Sequence, residues 1–213
     1  MESVYSYQPS EILMKQNEEG GLQASIDTER CYLRSIHPED LNFYRELFEN
    51  PITMENYSNG PATPESVANR VQMWVERWKE KNPYSAFAIF LQEERDNLIG
   101  HTILGHGVSR GWAEFAIVLK PSYWQNGLGT EVTAAMTIDY PLFLRKENFP
   151  IKEAVLEKVT ATFVSEIGNK IFNKLKPIWE ESNCSTNNGK VTRDAKLTNF
   201  YEIDLPVSLP NPA

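Results

Sequence analysis

Residues 111–135 read Gly-Trp-Ala-Glu-Phe-Ala-Ile-Val-Leu-Lys-Pro-Ser-Tyr-Trp-Gln-Asn-Gly-Leu-Gly-Thr-Glu-Val-Thr-Ala-Ala. Aromatic and β-branched residues dominate Trp112 to Lys120, which predicts a strand. Glu114, Ala116 and Val118 face one way and Phe115, Ile117 and Leu119 the other. Pro121 closes it, having no N–H for the ladder. Gln125-Asn126-Gly127-Leu128-Gly129-Thr130 then forms a glycine turn that opens a helix, with Leu128, Val132, Ala135 and Met136 on one face. A strand, a glycine turn and a helix start make an anion site. The first backbone N–H groups of the helix lack partners and carry the positive end of its dipole. No Gly-Lys-Ser/Thr follows the turn and no third glycine completes it, which argues against an NTPase phosphate loop or a dinucleotide fold.

The run AEFAIVLKPSYWQNGLGTEV resembles the acetyl-coenzyme A signature of the GNAT superfamily of N-acetyltransferases. It looks most like the group that includes the ribosomal-protein alanine acetyltransferases. That group combines a Glu-bearing strand, a Pro, Tyr-Trp, a G-x-G/A turn and Thr-Glu. Trp124 stands where the signature commonly begins with Arg or Gln, so one polar hand for a pyrophosphate is missing. A second stretch, Thr28-Glu29-Arg30 through Leu33-Arg34, Ile36 and Pro38-Glu39-Asp40-Leu41, resembles the opening strand and helix of the same group. The resemblance covers about residues 28–205.

The chain has 213 residues, 41% hydrophobic and 11% aromatic, enough for one folded domain with a full core. Its formal net charge of −8 argues against nucleic-acid binding, which needs a basic footprint, and is compatible with a cationic amine substrate. No apolar run is long enough to span a bilayer, and Met1 to Gln8 has neither basic residues nor an apolar signal core. The expectation is a cytoplasmic protein with no membrane partner, monomeric or homodimeric. Cys31 and Cys184 lie far apart and His37, His101 and His106 do not cluster, so no metal site is expected.

Residues 1–27 are polar, carry Gly20-Gly21 and show no sustained period, which predicts a mobile N-terminal tail. Thr28–Ile36 reads as a strand, and a helix follows His37-Pro38-Glu39-Asp40. Ile52 to Ala62 reads as a loop. Thr63 caps a helix running to about Lys81, whose Val67, Val71, Trp74, Val75 and Trp78 form a buried stripe. The resemblance suggests that Tyr57, Trp74 and Trp78 line an acceptor cleft.

Ala86–Leu91 and Leu98–Val108 read as strands joined by a charged tip, Gln92–Asn97. Tyr140-Pro141 is expected to interrupt or end the signature helix. Ala154–Val164 reads as a strand, and the helix after it carries Ile167, Ile171, Leu175 and Ile178 on one face. The segment from Trp179 to Lys190 reads as a polar loop, Leu197–Leu205 as a last strand and residues 206–213 as an irregular tail. The expected class is α/β (α+β), a mixed and mostly antiparallel central sheet flanked by helices.

What the resemblance implies is direct acetyl transfer from acetyl-coenzyme A to a small-molecule or peptide amine. In such folds the signature strand splays from the next one, and the pantetheine arm lies in the gap like a short extra strand. Backbone groups of Ile117, Val118 and Leu119 would hold the arm, with an N–H near Val118 or Leu119 facing the oxyanion. The N–H groups of Gln125 to Thr130 (Gln125, Asn126, Gly127, Leu128, Gly129, Thr130) would take the pyrophosphate. Asn169 and Lys170 would contact the pantetheine or a phosphate. Glu114 is the candidate general base, since amino groups of pKa ~8 to ~10 must lose a proton before attack. Many members protonate the departing thiolate with a Tyr on the last helix. Phe172 stands there in this chain, with Tyr123 and Tyr201 as substitutes. An acyl-coenzyme A-binding module without catalysis, or an interaction protein, are the competing readings.

Overall fold

The computed structural model describes residues 6–55, 60–163, 166–193 and 196–207. One nine-stranded sheet organises it, in the order β1-β2-β3-β4-β5-β6-β7-β9-β8. The strands are β1 Glu11–Gln16, β2 Leu22–Asp27, β3 Cys31–Ser35, β4 Ala86–Leu91, β5 Glu94–His106, β6 Trp112–Leu119, β7 Lys158–Phe163, β8 Ser185–Arg193 and β9 Lys196–Asp204. Every neighbouring pair is antiparallel except β6 and β7, which are parallel. A parallel pair needs a crossover. Here the crossover is helical, and it carries the glycine turn.

The helices are α1 Leu41–Phe48, α2 Pro51–Met54, α3 Pro64–Lys79, α4 Leu128–Ala134, α5 Tyr140–Lys146 and α6 Glu166–Glu181. The Thr63 hydroxyl accepts the Ser66 N–H at 3.2 Å and so caps α3. The stripe Val67, Val71, Trp74, Val75 and Trp78 is buried as its spacing predicts. His101 is fully buried on β5, stacked on Trp74 with ring centroids 4.7 Å apart. Burial, helped by the Arg70 charge, holds its pKa down at about 3, so it is a neutral core residue.

Several expectations need correction. Residues 11–27 are not a mobile tail. Asn17 Oδ1 accepts the Gly21 N–H at 2.8 Å, and Gly20 takes a left-handed φ of +83°. The two glycines are therefore the tight turn of a hairpin whose Leu22, Ala24 and Ile26 are buried. At Tyr140-Pro141 the regular helix is interrupted, as expected, but not ended. Between α4 and α5 a π-turn, Ala135–Asp139, keeps the helix continuous, and the Tyr140 N–H reaches back five residues to Ala135 O. That wider turn accommodates the proline's missing donor and bulky ring.

The polar stretch after Trp179 is not a loop. It is the end of α6 and then β8, an edge strand whose polar residues are what an exposed edge carries. The charged segment Gln92–Asn97 is only partly a hairpin tip, since Glu94 already pairs with Leu91. Ile52 also belongs to a short helix, α2, where Asn50 Oδ1 accepts the Ile52 and Thr53 N–H groups. Tyr57, Ser165 and the last six residues lie outside the described residues.

Candidate active site

β6 and β7 start side by side and then part. Their pairing runs from Trp112 opposite Lys158 to Phe115 opposite Ala161 and stops, although β6 continues to Leu119 and β7 to Phe163. A cleft of about 1090 Å³ opens at this divergence. Its floor is β6 from Glu114 to Leu119. Arg70, Met73, Trp74 and Arg77 line one wall, at i, i+3, i+4 and i+7 on a single face of α3. Thr162, Phe163, Ile167, Lys170, Ile171 and Lys174 line the other. Gln125, Gly127, Gly129 and Thr130 close the far end.

The ladder determines which backbone groups face the opening. Lys120 N donates to Ile99 O and Gly107 N to Trp112 O, both at 2.9 Å, and the β5–β6 register is continuous between them. Even-numbered residues of β6 therefore turn their N–H and C=O toward β5, and odd-numbered ones turn away from it. Val118 is thus committed to its β5 partner His101, which corrects the expectation that its N–H faces the gap. Ile117 and Leu119 point into the parting instead, with no β7 residue paired opposite either. The Leu119 carbonyl accepts the Trp124 Nε1–H at 2.7 Å. Trp124 thereby fastens the strand end to the turn.

At the turn, Gln125 and Gly127 take left-handed φ values of +62° and +79°. Thr130 N and Glu131 N donate to Gly127 O at 3.1 and 3.2 Å, so the donors left at the helix start are those of Gly127, Leu128 and Gly129. A Cβ on Gly129 would sit 3.5 Å from Ile171. The fold itself therefore has room for a side chain there, and the glycine leaves backbone accessible to a ligand. These donors, with Lys170 and Lys174 on the facing wall, suit phosphates. The free strand edge at Ile117 and Leu119 suits an amide-bearing chain such as a pantetheine arm.

Of the expected site residues, Glu114, Ile117, Val118, Leu119, Gln125, Gly127, Gly129, Thr130 and Lys170 line the cleft. Asn126 and Asn169 do not, and Leu128 has only its backbone N–H to offer there. Asn126 O accepts from Arg30 Nη1 at 2.8 Å, Leu128 is buried in the core, and Asn169 Oδ1 accepts the Tyr201 hydroxyl behind the cleft wall. Phe172 is equally remote, since its ring is buried and stacked on Tyr201 with centroids 4.1 Å apart. Tyr123 lines the cleft and its hydroxyl accepts from Asn97 at 2.9 Å. Trp74 reaches the cleft as expected. Trp78 is instead buried, donating to Ala86 O at 3.0 Å.

Sequence reasoning missed Arg70, Arg77 and His106. Arginines on an amphipathic helix ordinarily mark its solvated face, and only the parting of β6 and β7 turns that face into a wall. His106 is held below its usual pKa by burial, then by Arg77 and Lys152, and contacts Asn82 Nδ2 at 3.3 Å.

The Acetyltransferase (GNAT) domain model matches residues 30–147, more than half of the chain. The chain belongs to the GNAT acetyltransferase family. Comparison with curated protein sequences gives no significant match. Among solved structures, the chain is similar to a GNAT-family acetyltransferase from Bacillus anthracis (18% identity, TM-score 0.59), covering 85% of this chain and 98% of that one. A ribosomal-protein-S5-alanine acetyltransferase from Vibrio fischeri matches at 15% identity and TM-score 0.62, over 87% and 98% of the two chains. A ribosomal L7/L12 alpha-N-protein acetyltransferase in complex with coenzyme A matches at 11% identity and TM-score 0.60, over 85% and 97%. At these identities the likeness is one of fold. The protein is an acyltransferase of the GNAT type, a family that uses acetyl-coenzyme A. Among the described residues no helix is long and apolar enough to cross a membrane.

Proposed function

We propose that this GNAT protein transfers the acetyl group of acetyl-coenzyme A directly to a primary amine, with Glu114 as general base. The observation that carries the reading is the parting of β6 and β7 one residue beyond Glu114, with the Ile117 and Leu119 N–H groups turned into it. Acetyl-coenzyme A supplies an activated thioester. Gly127, Leu128 and Gly129 offer their N–H groups to its phosphates, and the Ile117–Leu119 edge aligns its arm and offers an N–H to the carbonyl oxygen. Glu114 lies three residues, roughly 10 Å, along β6 from Ile117, whose N–H is the nearer of the two to the base, at the end of the cleft away from the turn. There its carboxylate takes the proton that the amine must lose.

Direct transfer is supported by the state of the thiols. Burial is the main cause that pushes Cys31 up to about 12 and Cys184 up to about 11, and neither lines the cleft, so no thiolate is available as an acyl carrier.

The test is release of coenzyme A thiol with a panel of amines, for the native protein and Glu114→Gln. The substitution is expected to lower kcat/KM by ~10²–10⁴ while acetyl-coenzyme A still raises the melting temperature. Unchanged turnover in the variant would remove Glu114 from the mechanism. Cofactor binding without turnover in the native protein would favour a binding module.

A further inference from the structure

The acceptor end of the cleft is basic in a protein whose formal net charge is −8. Arg70 and Arg77 face it from α3, and among the described residues neither has a carboxylate within 4.0 Å. Arg77 is half-buried. Its Nη1 donates to Tyr84 O at 3.1 Å and its Nη2 reaches only the Met73 sulfur, at 3.8 Å. Burial lowers its pKa from the ordinary guanidinium value. Arg70 has its guanidinium 6.0 Å from the Phe48 ring centre. A guanidinium partly drawn from water with no carboxylate in contact keeps donors to offer, and a bidentate carboxylate is the partner its fork fits best.

The position of Arg77 relative to Glu114 sets the spacing. A Cβ built on Gly105 would lie 3.8 Å from Arg77 Nη1, and Gly105 is the β5 residue directly opposite Glu114. Neighbouring strands are ~4.8 Å apart and cross-strand partners share a face. The Arg77 guanidinium and the Glu114 side chain therefore open on the same face of the sheet, across one strand spacing from each other. Gly105 has no side chain to separate them.

We infer that the acceptor is a primary amine bearing its own carboxylate a few ångström from the reacting nitrogen, gripped by Arg77, with Arg70 two turns away on the same face of α3 adding to the positive field. The inference rests on the acetyl-transfer reading above and adds the substrate class. Two sources present this chemistry: a free amino acid, through its α-carboxylate, and a peptide N-terminus followed by an acidic side chain.

Two arms separate the sources. Each measures coenzyme A thiol release with matched pairs, free amino acids against their α-amides, and short peptides with Asp or Glu against Asn or Gln at the second residue. In one arm the carboxylate member is expected to exceed its amide by at least tenfold in kcat/KM. In Arg77→Gln and Arg70→Gln that ratio should fall toward one. Amides that match or outperform the acids in both arms would overturn the inference while leaving acetyl transfer standing. An acid preference that persists in both variants would equally remove the arginines from it. No transfer to any acceptor defeats the functional reading and this inference together. The native ratio requires no variant, so a variant that fails to fold does not affect the first comparison.

Discussion

Glu131 joins two motifs that lie about a hundred residues apart. Its Oε1 accepts the Thr28 hydroxyl at 2.6 Å and the Arg30 N–H at 2.7 Å, and its Oε2 accepts Arg30 Nε at 2.7 Å. Arg30 Nη1 then donates to Asn126 O at 2.8 Å, tying Arg30 to the glycine turn. The opening Thr-Glu-Arg and the signature Thr-Glu are thus two halves of one clamp. Sequence reading recovered both halves but not their contact, because nothing in either stretch specifies which distant chain it meets.

Glu131→Ala leaves a guanidinium, an amide and a hydroxyl without their anion, at a cost of about 2–3 kcal/mol. For a domain of this size the melting temperature should fall by roughly 4–12 °C. The clamp reading also requires KM for acetyl-coenzyme A to rise about tenfold, the equivalent of ~1.4 kcal/mol, as the Asn126 carbonyl loses its anchor. A lower melting temperature with unchanged KM would reduce the clamp to a structural ion pair.

At the scale of elements, β6, the turn and the α4 start were legible because each has a strong local pattern: alternation, proline, glycine and helical spacing. α6 was legible as a helix, but neither its last turn nor its rotation was. Its spacing allows Phe172 to be placed in the cleft, yet Ile167, Lys170, Ile171 and Lys174 face it instead. The rotation is set by Gly168, where a Cβ would come within 2.3 Å of the Phe163 ring, so that this face of the helix rests directly on β7. Phe172 then packs among Phe163, Trp179 and Tyr201. Phe172→Tyr therefore does not restore a general acid. The expected result is no gain in kcat and a loss of about 1–3 kcal/mol from a buried hydroxyl without a partner, read as a lower midpoint in urea. A rise in kcat would place Phe172 in the cleft after all.

At the scale of the whole molecule, the N-terminal hairpin belongs to the sheet. Sequence reading took it for a tail because only Leu22, Ala24 and Ile26 alternate, and Gly20-Gly21 suggests flexibility when its partner surface is unknown. That surface is the end of α3: a Cβ on Gly21 would lie 3.0 Å from the Lys79 Cα and 3.1 Å from Trp78 O. A second anchor joins the segment before β1 to the helical crossover. The Tyr7 hydroxyl donates to Asp139 Oδ1, and Ser10 N donates to Oδ2 at 3.0 Å.

Removing residues 1–27 strips β2 from β3 and exposes a strand edge together with the apolar face that Leu22 and Ile26 cover. Burying two such side chains is worth about 3–6 kcal/mol, comparable with the whole stability of many domains, ~5–15 kcal/mol. The truncated chain is therefore expected to aggregate, or to melt well below the full chain, and to lose the melting shift with acetyl-coenzyme A because α3 forms a cleft wall. Size-exclusion chromatography and thermal melts of the two forms decide it. A monodisperse fragment with the full chain's melting temperature would mean that the hairpin is an appendage and that β3 can serve as the edge of the sheet.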